Sequence, residues 1–76
     1  MTFVTLNAFC RLPSGNRSRE VEMPAVTTGL YAAGRVAKAM GLDPELPWCL
    51  AGLKADESVG PLMEPGARYE LFLGDV

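Results

Sequence analysis

The chain contains no histidine among its 76 residues. This absence removes the commonest general base of enzymes and the commonest metal ligand of proteins. The two cysteines, Cys10 and Cys49, lie far apart and match no metal-ligand spacing. The spacing of Gly15 and Gly29 matches no phosphate-binding loop. We therefore expect no metal, no cofactor and no catalytic activity of the chain's own.

Clustered charge and long apolar runs are also missing. Seven basic and nine acidic residues give a formal net charge of −2, and like charges form no block. Nucleic-acid-binding proteins usually cluster basic residues on one face, so we expect no nucleic-acid partner. The first residues contain neither a basic region nor a long apolar run. We therefore expect no signal peptide, no membrane span and a cytoplasmic location.

The hydrophobic content, 49% of the residues, is enough for one core. A chain of this size buries only about 60% of its unfolded surface when it folds. The sequence contains no internal repeat, no low-complexity stretch and no linker. We therefore expect residues 1–76 to form a single domain.

Alternating apolar residues predict a first strand over residues 3–12 and a returning strand over residues 17–23. Between them, residues 13–16 contain proline, glycine and asparagine, which favour a tight turn. Pro24 ends the second strand because it has no N–H for the ladder. One face of the first strand carries Val4, Leu6, Ala8, Cys10 and Leu12. The other face carries Phe3, Thr5, Asn7, Phe9 and Arg11.

A helix is predicted over about residues 29–40, with Thr27 or Thr28 as its N-cap. Gly41 follows at the position where a left-handed residue often ends a helix. The predicted apolar stripe consists of Leu30, Ala33, Val36, Ala37 and Met40. Gly34 weakens the helix by about 1 kcal/mol. Either this glycine allows a close approach of helix and sheet, or it is a tolerated imperfection.

The rest of the chain contains a short third strand over residues 48–53 and a last strand over residues 68–73. Between them we expect a loop with a minor strand or a single turn at residues 59–63. The order of elements predicts an α+β protein with the β-grasp arrangement. Such a fold has a mixed sheet of four or five strands with one helix packed on one face. Its last strand pairs in parallel with the first through a right-handed crossover. We expect Tyr69, Leu71 and Leu73 to face the helix.

Two segments of the sequence resemble a known family. Residues 4–15, VTLNAFCRLPSG, are similar to the opening strand and hairpin of the small, sulfur-carrying subunit of molybdopterin synthase. Residues 61–72, PLMEPGARYELF, resemble the closing segment of that subunit. Residues 41–45, GLDPE, also resemble bacterial ubiquitin-like carriers, to which the thiamin sulfur carriers belong. The resemblance implies a ubiquitin-like fold.

In that family an activating enzyme adenylates a free C-terminal Gly-Gly. The corresponding end here reads Gly74, Asp75 and Val76. Three interpretations follow. We favour a non-catalytic partner-binding subunit or adaptor that is related to the carriers and lacks their chemistry. The second is a sulfur carrier whose Gly-Gly is missing from this chain. The third is an accessory subunit of a multicomponent monooxygenase.

The sheet face that the helix leaves open is the predicted site of protein binding. We expect Trp48 and Leu50 to point inward and Cys49 outward. The predicted partner-binding residues are Phe3, Phe9, Cys49, Arg68, Glu70 and Phe72. Aromatic anchors surrounded by polar groups are typical of protein interfaces. Exposed phenylalanines without any role are the alternative.

The remaining polar residues suggest no site. Cys10 and Cys49 would lie on strands separated by the last strand, roughly twice 4.8 Å apart. A disulfide requires Cα atoms within about 7 Å, so we expect two free thiols. Arg17 and Arg19 are interpreted as a solvated hairpin rather than a phosphate site. Glu20 and Glu22 should face solvent.

Overall fold

The computed structural model describes residues 2–74 and consists of four strands and two helices. In chain order these elements are β1 (Phe3–Cys10), β2 (Arg17–Pro24), α1 (Gly29–Ala39), β3 (Trp48–Leu50), α2 (Val59–Leu62) and β4 (Arg68–Leu73). The protein is therefore α+β, as predicted. Neither helix in this part of the chain is long and apolar enough to cross a membrane.

The four strands form one mixed sheet in the order β2-β1-β4-β3. Strands β1 and β2 pair antiparallel over their full length, from Phe3 opposite Pro24 to Cys10 opposite Arg17. Strand β4 pairs in parallel with β1 and antiparallel with β3. The last strand therefore lies between the first and the third, and it runs parallel to the first, as the sequence predicted.

The bounds of three strands differ from their predictions, although β2 is only one residue longer because it includes Pro24. Strand β1 ends at Cys10 rather than at residue 12, because the chain turns there and Gly15 donates its N–H to the Leu12 carbonyl at 3.0 Å. Strand β3 ends at Leu50 rather than at residue 53. Gly52, with φ of 85°, forms a turn in which Leu53 donates its N–H to the Leu50 carbonyl at 3.1 Å.

Helix α1 begins after Thr28, one of the two predicted N-caps, and Gly41 follows its end with φ of 77°. Its core-facing side is built from small residues, which lets the helix lie close to the sheet. The buried positions are Gly29, Ala32, Ala33, Val36 and Ala37, followed by Met40. Leu30 was predicted to belong to this stripe, but it is 58% exposed. At about 100° per residue, Leu30 falls just outside the buried arc, whereas Ala32 lies within it.

The close approach of α1 occurs at Gly29, not at Gly34. A Cβ at Gly29 would collide with the carbonyl oxygen of Lys54. Carbonyl groups of the same segment accept hydrogen bonds from the first N–H groups of the helix. The Gly29 N–H donates to the Glu57 carbonyl and the Leu30 N–H donates to the Ala55 carbonyl, both at 3.1 Å. A Cβ at Gly34 would meet no atom of the described chain within 4 Å. Of the two interpretations of Gly34, a close approach of helix and sheet is therefore wrong.

The core lies between α1 and one face of the sheet. Its fully buried large side chains are Leu6, Met23, Val36, Val59 and Leu71. Trp48, Leu50 and Tyr69 are buried at the same face, as predicted. Leu73 was expected to face the helix, but it is 52% exposed. It is the last residue of β4, two positions beyond the buried Leu71.

The end of the β1–β2 hairpin is tied to the end of α1. Arg17 donates from Nη1 to the Met40 carbonyl at 2.5 Å, and Arg19 donates from Nε to the Ala39 carbonyl at 3.4 Å. The last carbonyls of a helix have no partner within the helix and carry partial negative charge. Both arginines are exposed, as predicted. They nevertheless have a structural role that the sequence did not indicate.

Candidate partner-binding surface

The sheet face turned away from α1 carries the side chains that the sequence predicted for partner binding. Asn7 lies beside Arg68 on one side and Glu20 on the other. One row further along, Phe9 lies between Glu70 and Ser18. Cys49 pairs with Phe72 across the β3–β4 ladder. We call this surface the open face.

One end of the open face is aromatic. We define the aromatic end as Phe9, Arg11, Cys49, Glu70 and Phe72. Phe72 is 43% exposed, whereas Phe9 and Cys49 are half-buried. Because β1 and β4 are parallel neighbours, with Phe9 opposite Glu70, Phe72 lies one row beyond Phe9 on the adjacent strand. The register thus brings two of the three predicted phenylalanines together.

Phe3 does not join this group. It lies six residues from Phe9 along β1, a separation of about 20 Å at 3.3 Å per residue. Its neighbour across the ladder is Pro24, and its side chain is 53% exposed. The predicted surface therefore divides into the aromatic end and a separate exposed phenylalanine at the opposite end of β1.

Arg11 belongs to the aromatic end, although it was not among the predicted site residues. Its guanidinium carbon lies 5.9 Å from the centre of the Phe9 ring. Its Nε lies 3.7 Å from a carboxylate oxygen of Glu70. The side chain is 72% exposed, so this arrangement is only weakly held. Its position two residues after Phe9 on the same strand face was the available sequence signal.

The middle of the open face is polar. A shallow depression of about 190 Å³ lies over β2, β1 and β4. Its lining residues are Asn7, Ala8, Ser18, Arg19, Glu20 and Arg68. Arg68 was predicted as a site residue. Asn7 was predicted to share the strand face of Phe9, and Glu20 was predicted to face solvent. Acidic, basic and amide groups side by side can form hydrogen bonds at the edge of an interface.

Gly74 directly follows β4 and packs against β3. Its N–H donates to the Pro47 carbonyl at 2.8 Å. A Cβ at this position would lie 2.6 Å from the Cys49 sulfur, so a side chain would displace the thiol. Asp75 and Val76, the other two residues predicted for the tail, lie outside the described residues.

The two cysteines are free thiols, as predicted. Cys10 is buried on the helix side of β1, and Cys49 lies on the open face of β3, with β4 between the two strands. Burial raises the pKa of the Cys10 thiol above its ordinary value. The Glu70 carboxylate raises this pKa further, and the Arg17 guanidinium opposes the rise. Cys10 is therefore a core residue with a thiol that ionises reluctantly.

Within residues 2–74, no three His, Cys, Asp or Glu side chains are grouped so that they could hold a metal ion. The aromatic end consists of apolar rings beside groups that form hydrogen bonds, which suits binding to another protein surface. No family model matches the chain, and no curated protein matches it either.

Proposed function

We propose that this protein is a non-catalytic, ubiquitin-like partner-binding subunit or adaptor related to the sulfur carriers. The observation that carries the proposal is the aromatic end of the open face. There Phe72 is 43% exposed beside the half-buried Phe9, with Arg11 and Glu70 next to them. A partner that covers these rings removes apolar surface from water and leaves the polar groups at the rim.

The topology supports the β-grasp part of this proposal. A β-grasp sheet has its N-terminal hairpin at one side and its last strand in the centre, parallel to the first. The order β2-β1-β4-β3 with parallel β1 and β4 agrees with that arrangement. A single long helix, α1, covers one face and leaves the other free.

Arg11 gives the aromatic end a way to adapt to a partner. Exposed ion pairs contribute only about 0–1 kcal/mol, so Arg11 can leave Glu70 at little cost. When it moves, the Phe9 ring becomes accessible beside Phe72. The displaced guanidinium is then available to a carboxylate of the partner at the rim of the interface.

The test is to replace Phe72 with aspartate and compare binding to the partner that co-purifies with the protein from its native source. A charge placed among the rings should abolish association while the fold is retained, because Phe72 is not part of the core. Phe3→Asp is the matched control, since it introduces the same charge at a similarly exposed phenylalanine about 20 Å from Phe9. Binding should be measured by calorimetry, and folding by circular dichroism.

A folded Phe72→Asp protein that still binds its partner with unchanged affinity would contradict the proposal. Equal losses for the Phe3 and Phe72 variants would also contradict it, because the effect would then not be specific to the aromatic end.

The sulfur-carrier alternative predicts different chemistry. A carrier should occur in its native source with a mass that requires a Gly-Gly extension or a thiocarboxylate. It should also form an acyl-adenylate with an activating enzyme. An adaptor should bind its partner with the C-terminus blocked. Intact mass spectrometry of the native protein therefore separates the two proposals.

A further inference from the structure

A second surface lies on the other side of the molecule, on the outer side of α1. Its exposed apolar side chains come from the helix and from the segment before β3. Leu30 is 58% exposed, Tyr31 71% and Leu46 45%. Together with Pro44 and Trp48 they line a groove of about 370 Å³. We call it the helix groove; it is separate from the open face.

The floor of the helix groove is kept open by Gly34. A glycine inside a helix costs about 1 kcal/mol relative to alanine. No packing constraint explains it here, since a Cβ at this position would meet no atom of residues 2–74 within 4 Å. Leu30 precedes it by one helical turn and Lys38 follows by one turn, so all three lie along one stripe of α1. The missing side chain leaves a gap in that stripe.

The opposite wall of the helix groove is held in place by hydrogen bonds. The Trp48 indole N–H donates to the Asp43 carbonyl at 2.6 Å, and the Trp48 backbone N–H donates to the Leu46 carbonyl at 2.8 Å. The Glu45 N–H donates to the Asp43 carboxylate at 3.0 Å. A wall that is already ordered loses little conformational entropy when a ligand binds.

The charged residues that line the helix groove are both basic. Arg35 and Lys38 lie on its helix side and are exposed. Neither has a carboxylate oxygen within 4.0 Å in the described part of the chain. The acidic residues of the nearby segment, Asp43 and Glu45, do not line the groove. An apolar groove with a positive rim is complementary to an apolar segment that carries negative charge.

We propose that the helix groove binds a short acidic peptide segment of a partner protein. Apolar side chains of the segment enter between Leu30, Tyr31 and Leu46, over the gap at Gly34. Asp or Glu side chains next to them pair with Arg35 and Lys38. This inference goes beyond the proposed function and does not depend on the open face, because the two surfaces share no residue.

The experiment selects peptides from a random library displayed on phage, with the intact protein immobilised as bait. Enriched peptides that contain no tryptophan are synthesised and titrated while the fluorescence of Trp48, the chain's single tryptophan, is recorded. The expected consensus combines two or more apolar residues with Asp or Glu. Binding should change the Trp48 emission because this side chain lines the groove.

Three variants locate the binding site. Gly34→Leu fills the gap with a good helix former and should weaken binding at least about tenfold. The double variant Arg35→Glu/Lys38→Glu should weaken binding of the acidic peptide by a similar factor. A second peptide, in which lysine replaces each Asp and Glu, should bind this double variant more tightly than it binds the wild-type protein. Phe72→Asp should leave the affinity unchanged.

Enrichment of no peptide, or of peptides without acidic residues, would overturn the proposal. An affinity that is unchanged in a folded Gly34→Leu protein would also overturn it. If Phe72→Asp abolished peptide binding, the peptides would occupy the open face, and the helix groove would have no assigned ligand.

Discussion

At the scale of single residues, the two thiols have different environments. Cys10 is 3% exposed within the core, whereas Cys49 is half-buried on the open face. Thiol reagents attack the thiolate, so both access and pKa govern the rate of reaction. At Cys10 both factors act against reaction, since burial and Glu70 raise the pKa of its thiol. The two cysteines therefore report on different parts of the structure.

We expect iodoacetamide to label Cys49 much faster than Cys10 in the folded protein at mildly alkaline pH. Because the pKa of Cys10 is raised, its thiolate forms only at a higher pH than the thiolate of an unperturbed cysteine. Mass spectrometry of the labelled peptides measures both rates. In concentrated urea the two rates should become similar. Equal labelling in the folded state would contradict the burial of Cys10.

At the scale of elements, helix α1 contains two glycines with opposite surroundings. Gly29 touches the backbone of Lys54, whereas Gly34 faces the open helix groove. Glycine is unfavourable inside a helix because it loses more backbone freedom than alanine. At Gly29 the absence of a Cβ allows a close approach of the helix to the Lys54 backbone, which a side chain would block. At Gly34 the neighbouring residues of the fold require no glycine.

We expect Gly34→Ala to stabilise the protein by roughly 0.5–1 kcal/mol and Gly29→Ala to destabilise it by more than about 1 kcal/mol. The first variant gains helix propensity without a collision. The second forces the Lys54 carbonyl away from the helix and disturbs the hydrogen bonds there. Urea denaturation followed by circular dichroism measures both changes, and a stabilising Gly29→Ala would contradict this packing.

At the scale of the whole molecule, a tertiary contact holds the hairpin against the helix. Arg17 reaches from β2 to the Met40 carbonyl, 23 residues further along the chain. Hydrogen bonds from charged donors to partly buried carbonyls are stronger than neutral ones. Arg11, in contrast, makes an exposed contact with Glu70 on the open face. One arginine therefore supports the fold, and the other belongs to the proposed binding surface.

We expect Arg17→Met to lower the free energy of unfolding by about 1 kcal/mol or more, because it leaves the end of α1 without this donor. Arg11→Met is the matched control and should change stability by no more than about 0.5 kcal/mol. Chemical denaturation of both proteins is the measurement. A larger loss for the Arg11 variant would mean that the open-face contact, not the hairpin tie, supports the fold.

Much of the fold could be predicted from local pattern and chemistry. The last strand was predicted over residues 68–73 and is observed as Arg68–Leu73. The helix was predicted over residues 29–40 and is observed as Gly29–Ala39. Alternation identified the inward side of β1, and Trp48 and Leu50 are buried as expected. These features follow from side-chain periodicity and from turn and cap residues, which depend on neighbours in sequence.

The candidate site was less predictable. Placing Phe9 and Phe72 together requires the register of β4 on β1, which joins residues about sixty positions apart. The distance between Phe3 and Phe9 follows from their spacing along β1, but only the register decides that Phe72 lies near Phe9 and not near Phe3. The tie from Arg17 to the helix end also joins distant residues. Local sequence patterns carry no information on such contacts.

The sequence by itself determined which side of each strand is apolar, where the helix begins and where it stops, because these properties depend on residues a few positions apart. Only the tertiary structure decided which apolar side chains are covered. The rotation of α1 on the sheet buries Ala32 and leaves Leu30 exposed. It also places Gly29 against Lys54 and Gly34 in the helix groove. Rotation and register are set by packing over the whole core, so both candidate surfaces depend on contacts between distant residues.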